Sequence, residues 1–151
     1  MAVLESPEVS QTFGQGDLAV QALKPTSRSV EAGELVALLG PSGSGKSTLL
    51  LAISLIQPPT TGRIVVDGQT LYDNGPTGVN DRAFRLRKVG FIFQQHNLIP
   101  FLTAKENVAL ILQLNGVSRR EAGRRALELM KYLEIAHRAD SLPSQLSGGE
   151  Q

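Results

Sequence analysis

The sequence predicts an α/β fold with a helical subdomain attached, and three observations carry that reading. A strand, a glycine-rich loop and a helix follow one another over residues 34–56. Other short apolar runs with strand character lie on both sides of it, up to residue 93. Near Pro100 the pattern changes to capped helices with a period near 3.6 residues. The expected division is therefore an α/β core over 1–100 and a helical subdomain over 101–151.

Taken in order, Val9–Thr12, Ala19–Leu23 and Glu34–Leu39 read as strands, the last bracketed by the turn glycines Gly33 and Gly40. Leu35-Val36-Ala37-Leu38-Leu39 is almost wholly apolar, as in a strand buried on both faces. A helix is expected from Lys46 to about Ile56, ended by Pro58-Pro59, since proline cannot continue it. Arg63–Val66 reads as a strand followed by an Asp67-Gly68 turn, Asp73–Asp81 as a loop, and Val89–Phe93 as another buried strand. Thr103 and Glu106 have capping-box spacing before a helix that runs to Leu114 and stops at Asn115-Gly116. Ser118 and Glu121 repeat that spacing, and the helix after them puts Ala122, Ala126, Met130 and Leu133 on one face. Lys24-Pro25-Thr26-Ser27-Arg28-Ser29 is an odd run for a strand, which Pro25 weakens.

Composition narrows the function classes. The chain has 151 residues, enough for one domain with a core, and is 41% hydrophobic and 19% charged. Its net charge of +1 supplies no global field for nucleic acid. It has no cysteine, hence neither a disulfide framework nor thiol chemistry. The longest apolar stretch, Leu49–Ile56, is far short of the roughly 20 residues of a spanning helix. Met1–Ser10 carries Glu5 and Glu8 and does not read as a secretory signal. Contact with a membrane is expected only through a partner. Arg119, Arg120, Arg124 and Arg125 alternate with acids and read as a solvated face, as do Arg82, Arg85, Arg87 and Lys88. His96 reads as a loop residue and His137 as a helix-end residue.

Gly40-Pro41-Ser42-Gly43-Ser44-Gly45-Lys46-Ser47 is a complete G-x-x-x-x-G-K-S phosphate loop in the strand–loop–helix context that the motif requires. Glycines reach backbone angles closed to other residues, so successive N–H groups can converge on phosphate oxygens, and the following helix adds the positive end of its dipole. Lys46 can reach the β- and γ-phosphates, Ser47 can offer its hydroxyl to Mg²⁺, and Thr48 can assist at the phosphates. By average residue usage such a pattern arises by chance in a chain of this length on the order of 0.5% of the time.

The loop alone leaves kinases, GTPases and many ATPases open. Leu146-Ser147-Gly148-Gly149-Glu150-Gln151 narrows the choice. With it, nearly the whole chain resembles the ATP-binding subunits of ABC transporters. Gly40–Thr48 matches that family's Walker A motif, Gly90–Gln95 the strand leading into its Q-loop, and Thr103–Val108 the helix that follows. The run over residues 93–108 is most similar to bacterial subunits of the lipoprotein-release and macrolide-export type, hence an exporter. The resemblance implies a P-loop NTPase core of RecA-like type with N-terminal antiparallel strands and a helical subdomain. It implies ATP and Mg²⁺ as ligands. Gln94 would coordinate Mg²⁺ or orient the attacking water and couple the site to a transmembrane permease. Phe13 sits where the family stacks an aromatic on adenine, against the plainer reading of a core or staple phenylalanine. Ser147, Gly148 and Gly149 would cap the γ-phosphate held by a second subunit in a head-to-tail dimer, against the plainer reading of a turn. The implied location is cytoplasmic, on the inner face of the plasma membrane through the permease.

The family continues past its signature with an apolar strand ending in Asp and the catalytic Glu, then a loop histidine. No apolar run ending in Asp-Glu occurs in residues 1–151. The expectation is thus a chain without the C-terminal part of that domain: a truncated product, or a fragment of a longer frame. Two rival functions are a non-transport ABC ATPase of DNA repair or translation, and a non-catalytic nucleotide-binding fragment.

Overall fold

A computed structural model describes residues 2–151. The chain forms two compact units, one running to Val89 and the other from Gly90 to Gln151.

The first unit is built on a four-stranded antiparallel sheet in the order β2-β1-β3-β4: β1 Ala2–Phe13, β2 Val20–Glu31, β3 Arg63–Val66 and β4 Gln69–Asp73. Two helices complete it, α1 Lys46–Ile53 and α2 Asp81–Lys88. Val9, Leu23, Leu49, Ala52, Leu55, Ile64, Leu71 and Tyr72 form the core between sheet and helix α1. The Tyr72 hydroxyl donates to the Pro59 carbonyl at 2.6 Å, so the buried ring keeps its polar end satisfied.

Both N-terminal strands extend beyond the expected 9–12 and 19–23, and β2 runs straight through Lys24–Ser29. Two features let it do so. It is an edge strand, where a missing proline N–H costs no ladder bond on its open side. Its pairing with β1 also shifts between Ser6 and Val9, at Glu8, whose φ is +52°, and again between Val9 and Gln11, opposite Pro25. At the first shift Ser27 Oγ accepts from the Glu8 N–H at 3.0 Å and donates to the Glu8 carboxylate at 2.9 Å, replacing the lost pairing.

Helix α1 stops at Ile53, short of the expected Ile56. Leu55 turns into the left-handed region at φ +56° and buries its side chain in the core. The turn closes with Gln57 N–H donating to Leu51 O at 3.1 Å, and Arg85 Nη1 caps the Leu55 carbonyl at 2.7 Å. Burial of a leucine here outweighs the cost of an angle usually left to glycine.

The runs 34–39 and 89–93, expected as buried strands, make no ladder among the described residues. Leu35 and Leu39 are 98% and 91% exposed and Ile92 97%, while Leu38 turns toward the core. An unbroken apolar run reports a preference for burial on both faces, but a strand exists only with a hydrogen-bonding neighbour. Strand β4 and helix α2 carried no sequence expectation. Asn80 caps α2 by accepting from the Ala83 N–H at 2.9 Å.

The second unit is helical: α3 Ala104–Leu114 and α4 Arg119–Tyr132, followed by short 3₁₀ turns at Ala136–Arg138 and Pro143–Gln145. Ala122, Ala126 and Met130 of α4 are buried as its periodicity predicts, but Leu133, the helix C-cap, is half exposed because the chain turns away at Glu134 (φ +63°). The Thr103–Glu106 capping box forms in full. The Ser118–Glu121 pair forms only half of one: Ser118 Oγ accepts from the Glu121 N–H at 3.4 Å, but the Glu121 carboxylate is taken by Arg124 and Arg125 at 2.6–2.9 Å. Those two guanidinium groups hold Glu121 down at about 2. Arg119 faces Glu106 at 3.6 Å, so three of the four α4 arginines are exposed and ion-paired.

The segment after α4 is tied back to the start of α3. The Ala104 and Lys105 N–H groups, free at a helix N-terminus, donate to the Ser141 and Ala139 carbonyls at 2.9 Å each. Lys105 Nζ pairs with Asp140 at 2.9 Å, and Leu146 buries against Ala104, Met130 and Ala139. That anchor sets where residues 147–151 leave the unit.

Candidate nucleotide-binding site

The phosphate loop lies in the first unit, between residues 34–39 and α1. Gly45 is the N-cap of α1 with φ +86° and ψ +7°. A Cβ there would stand 3.0 Å from the Ala22 carbonyl oxygen and 3.2 Å from Leu23 Cδ1, so both angle and space require glycine. Gly43 has φ +79° in open space, so there the backbone angle alone requires it. Ser44 N–H closes a turn on Pro41 O at 3.3 Å, and Leu49 N–H makes the first helical bond to Gly45 O at 2.8 Å. The N–H groups of Lys46, Ser47 and Thr48 therefore belong to the first turn, where helix geometry provides no acceptor and the dipole is positive.

Lys46 Nζ lies across the loop, donating to Gly40 O at 2.9 Å, Pro41 O at 2.7 Å and Ser44 Oγ at 3.1 Å. The side chain thus brings an ammonium onto the loop, beside the backbone donors of the first helical turn. The Ser47 side chain is exposed at the first turn and Thr48 is half-buried. An ammonium, a run of N–H donors and a free hydroxyl form the donor set that a polyphosphate with a divalent cation needs, and these residues fit MgATP.

Phe13 ends β1 and is 38% exposed opposite Val20. Two residues before it Gln11 pairs with Leu23, the residue that touches Gly45, so the ring belongs to the end of the sheet that carries the loop. Its exposure disfavours the reading as a core phenylalanine. Gln94 lies in the second unit, exposed, just after Phe91 and Phe93, whose rings meet at 51° with centroids 4.6 Å apart. His96 is an exposed loop residue.

Ser147, Gly148 and Gly149 are exposed and lead into a helical turn, with Glu150 and Gln151 N–H both donating to Ser147 O at 2.9 and 3.2 Å. Among the described residues nothing lies within 4 Å of a Cβ built on Gly148 or Gly149, and neither has a positive φ. The chain's own packing demands no glycine at either position. Arg138 carried no expectation, and Glu150 was expected only as part of the signature and as a conceivable substitute base, not as a partner of Ser147. Glu150 accepts from the Ser147 N–H at 2.8 Å, the Ser147 hydroxyl at 2.7 Å and Arg138 Nε at 2.7 Å. These donors, the Ser147 N–H foremost, hold its carboxyl at about 2. The signal was present in the sequence, since Ser147 and Glu150 have the same spacing as Thr103 and Glu106. His137, in the 3₁₀ turn before Arg138, lies 3.7 Å from Glu150.

The family model for the ABC transporter matches residues 23–151, from β2 through the loop to the final glutamine. The chain belongs to the ABC transporter family. Among curated relatives it is 37% identical, over 152 aligned positions, to the methionine import ATP-binding protein MetN of Streptococcus pyogenes serotype M4 (strain MGAS10750). It is 36% identical to MetN of serotype M3 (strain ATCC BAA-595 / MGAS315) of the same organism. The match takes in 99% of the chain but 43% of each relative, so the chain spans less than half the length of these proteins. Among solved structures it superimposes on the dimeric ATP-binding cassette MJ0796 in a post-hydrolysis state bound to ADP and Pi. The TM-score is 0.86 at 39% identity, over 97% of this chain and 64% of that one. The fold is that of the P-loop NTPase cassettes of this ABC family, with the antiparallel strands and the helical unit in place.

Proposed function

We propose that this ABC-family chain binds MgATP through residues 40–48 and serves as the ATP-binding part of a transporter, hydrolysing ATP in the intact protein to drive a transmembrane permease. The observation that carries this is the loop at Gly45. Its left-handed angle and tight packing on β2 start helix α1 directly after the loop, across which Lys46 Nζ reaches back, so backbone donors and an ammonium lie together. In this reading Phe13 stacks on the base, Ser47 holds Mg²⁺, Gln94 coordinates the ion or orients the attacking water, and Ser147, Gly148 and Gly149 approach the γ-phosphate bound by a second, head-to-tail subunit. The open surroundings of Gly148 and Gly149 support an approach from outside the chain, since nothing within it explains two glycines. The dimeric state and bound ADP of the MJ0796 structure support the same arrangement. Attachment to the inner face of the membrane would come through the permease; no described helix is long and apolar enough to cross a membrane. The curated relatives are import proteins by name, and the export direction expected from residues 93–108 finds no support among them.

The test is calorimetric titration with ATP, with and without Mg²⁺. Wild type should bind more tightly with the cation, and Ser47→Ala should lose most of that advantage, because the hydroxyl that ligates the ion is gone while the phosphate donors remain. An Mg²⁺ dependence unchanged in Ser47→Ala would remove Ser47 from the metal site. For Gln94 the expected result is different. In the assembled transporter, Gln94→Ala should leave ATP affinity within a few-fold and depress transport-linked turnover, because the residue lies outside the unit that forms the loop. Abolished ATP binding in that variant would show a structural role instead.

A further inference from the structure

We propose that Glu150, steered by Arg138, is a positioning residue that occupies the phosphate-facing donors of Ser147 and must be displaced before the signature segment can take a phosphate. The inference rests on the reading of Ser147 given above. Both groups that Ser147 could offer to an anionic oxygen, its N–H and its hydroxyl, point at a single carboxylate oxygen, Glu150 Oε2, at 2.8 and 2.7 Å. The other oxygen, Oε1, is held by Arg138 Nε at 2.7 Å, with His137 Nε2 at 3.7 Å. Arg138 is fixed in turn by a 3₁₀ turn whose neighbours Ile135, Ala136 and Ala139 pack with Met130 and Leu146. The carboxylate is therefore aimed rather than free.

A carboxylate that accepts two donors from one serine mimics a phosphate at the same position, since it satisfies those donors with negative charge. It acts against an incoming phosphate in two ways. It holds the donors that the phosphate needs, and its charge repels the phosphate's charge. Gly148 and Gly149 have no such occupant among the described residues. Ser147 is the guarded member of the three.

Two measurements on the 151-residue chain test this. The first is amide hydrogen exchange at Ser147 by NMR. Wild type should be protected, and Glu150→Ala and Arg138→Ala should each exchange at least about tenfold faster, as expected when a charge-assisted acceptor is lost. The second follows the Ser147, Gly148 and Gly149 amide resonances through a titration with MgATP. Glu150→Gln, which keeps the size and removes the charge, should respond at about tenfold lower concentration than wild type. A purely structural cap would not produce that shift. Unchanged exchange overturns the positioning role and leaves the phosphate role of Ser147 standing. Faster exchange with equal titration midpoints overturns the competition and leaves Glu150 a helix cap. If no form responds at 147–149 while residues 43–48 do, the phosphate role of Ser147 falls, and this inference falls with it.

Discussion

Lys46→Ala is expected to weaken MgATP binding about 10- to 150-fold, the loss of a charge-assisted contact of about 1.5–3 kcal/mol. The Lys46 ammonium lies on the loop, bonded to Gly40 O, Pro41 O and Ser44 Oγ. In binding, those three acceptors are exchanged for phosphate oxygens that carry full charge, so the gain comes from replacing neutral partners with an anion. The backbone donors survive the substitution, because Gly45 and the α1 N-terminus are set by packing on β2 rather than by the lysine. Affinity should therefore fall but not vanish. Calorimetry on the two proteins measures this directly, and equal affinity would sink the assignment of the loop.

The second large effect concerns turnover. Residues 1–151 prepared on their own are expected to release phosphate from ATP no faster than their Lys46→Ala variant. Hydrolysis needs a group that positions or deprotonates the attacking water. No apolar strand ending in Asp-Glu occurs in the sequence. Glu150 is the carboxylate of the signature segment, and in the arrangement seen here its donors make it a poor base. Three donors hold it at about 2, too weak a base to take a proton from water near neutral pH. Contacts made equally by ground state and transition state raise affinity without lowering the chemical barrier. Steady phosphate release well above the Lys46→Ala control would show that another group supplies the base.

Much of the site was legible in the sequence because its chemistry is local. A phosphate loop is made by consecutive residues whose backbone angles depend on their own glycines, and Gly43 and Gly45 take the left-handed angles that the motif calls for. The caps at Thr103 and Ser118 are local for the same reason, each joining residues three apart. Where one local rule met a stronger local partner it gave way. Glu121 has the spacing of a capping box, yet two arginines on its own helix took its carboxylate.

Pairing and burial obeyed a different logic. Pro25 reads as weakening a strand, yet β2 passes through it because β2 lies on the sheet's edge and pairs with a strand whose register shifts opposite the proline. The apolar runs 34–39 and 89–93 read as buried strands, yet Leu35 and Ile92 are almost fully exposed, because a ladder needs a neighbour that composition cannot supply. The sequence by itself determined the family, the phosphate loop, the capped helices and the serine and glycines of the signature, all written in contiguous residues. Only the tertiary structure decided where the strands end, that Leu55 turns inward to close α1, and that Arg138 aims Glu150 at Ser147. Each of those depends on residues brought together across the chain, and hydrogen bonds and burial between distant residues have no fixed spacing to read.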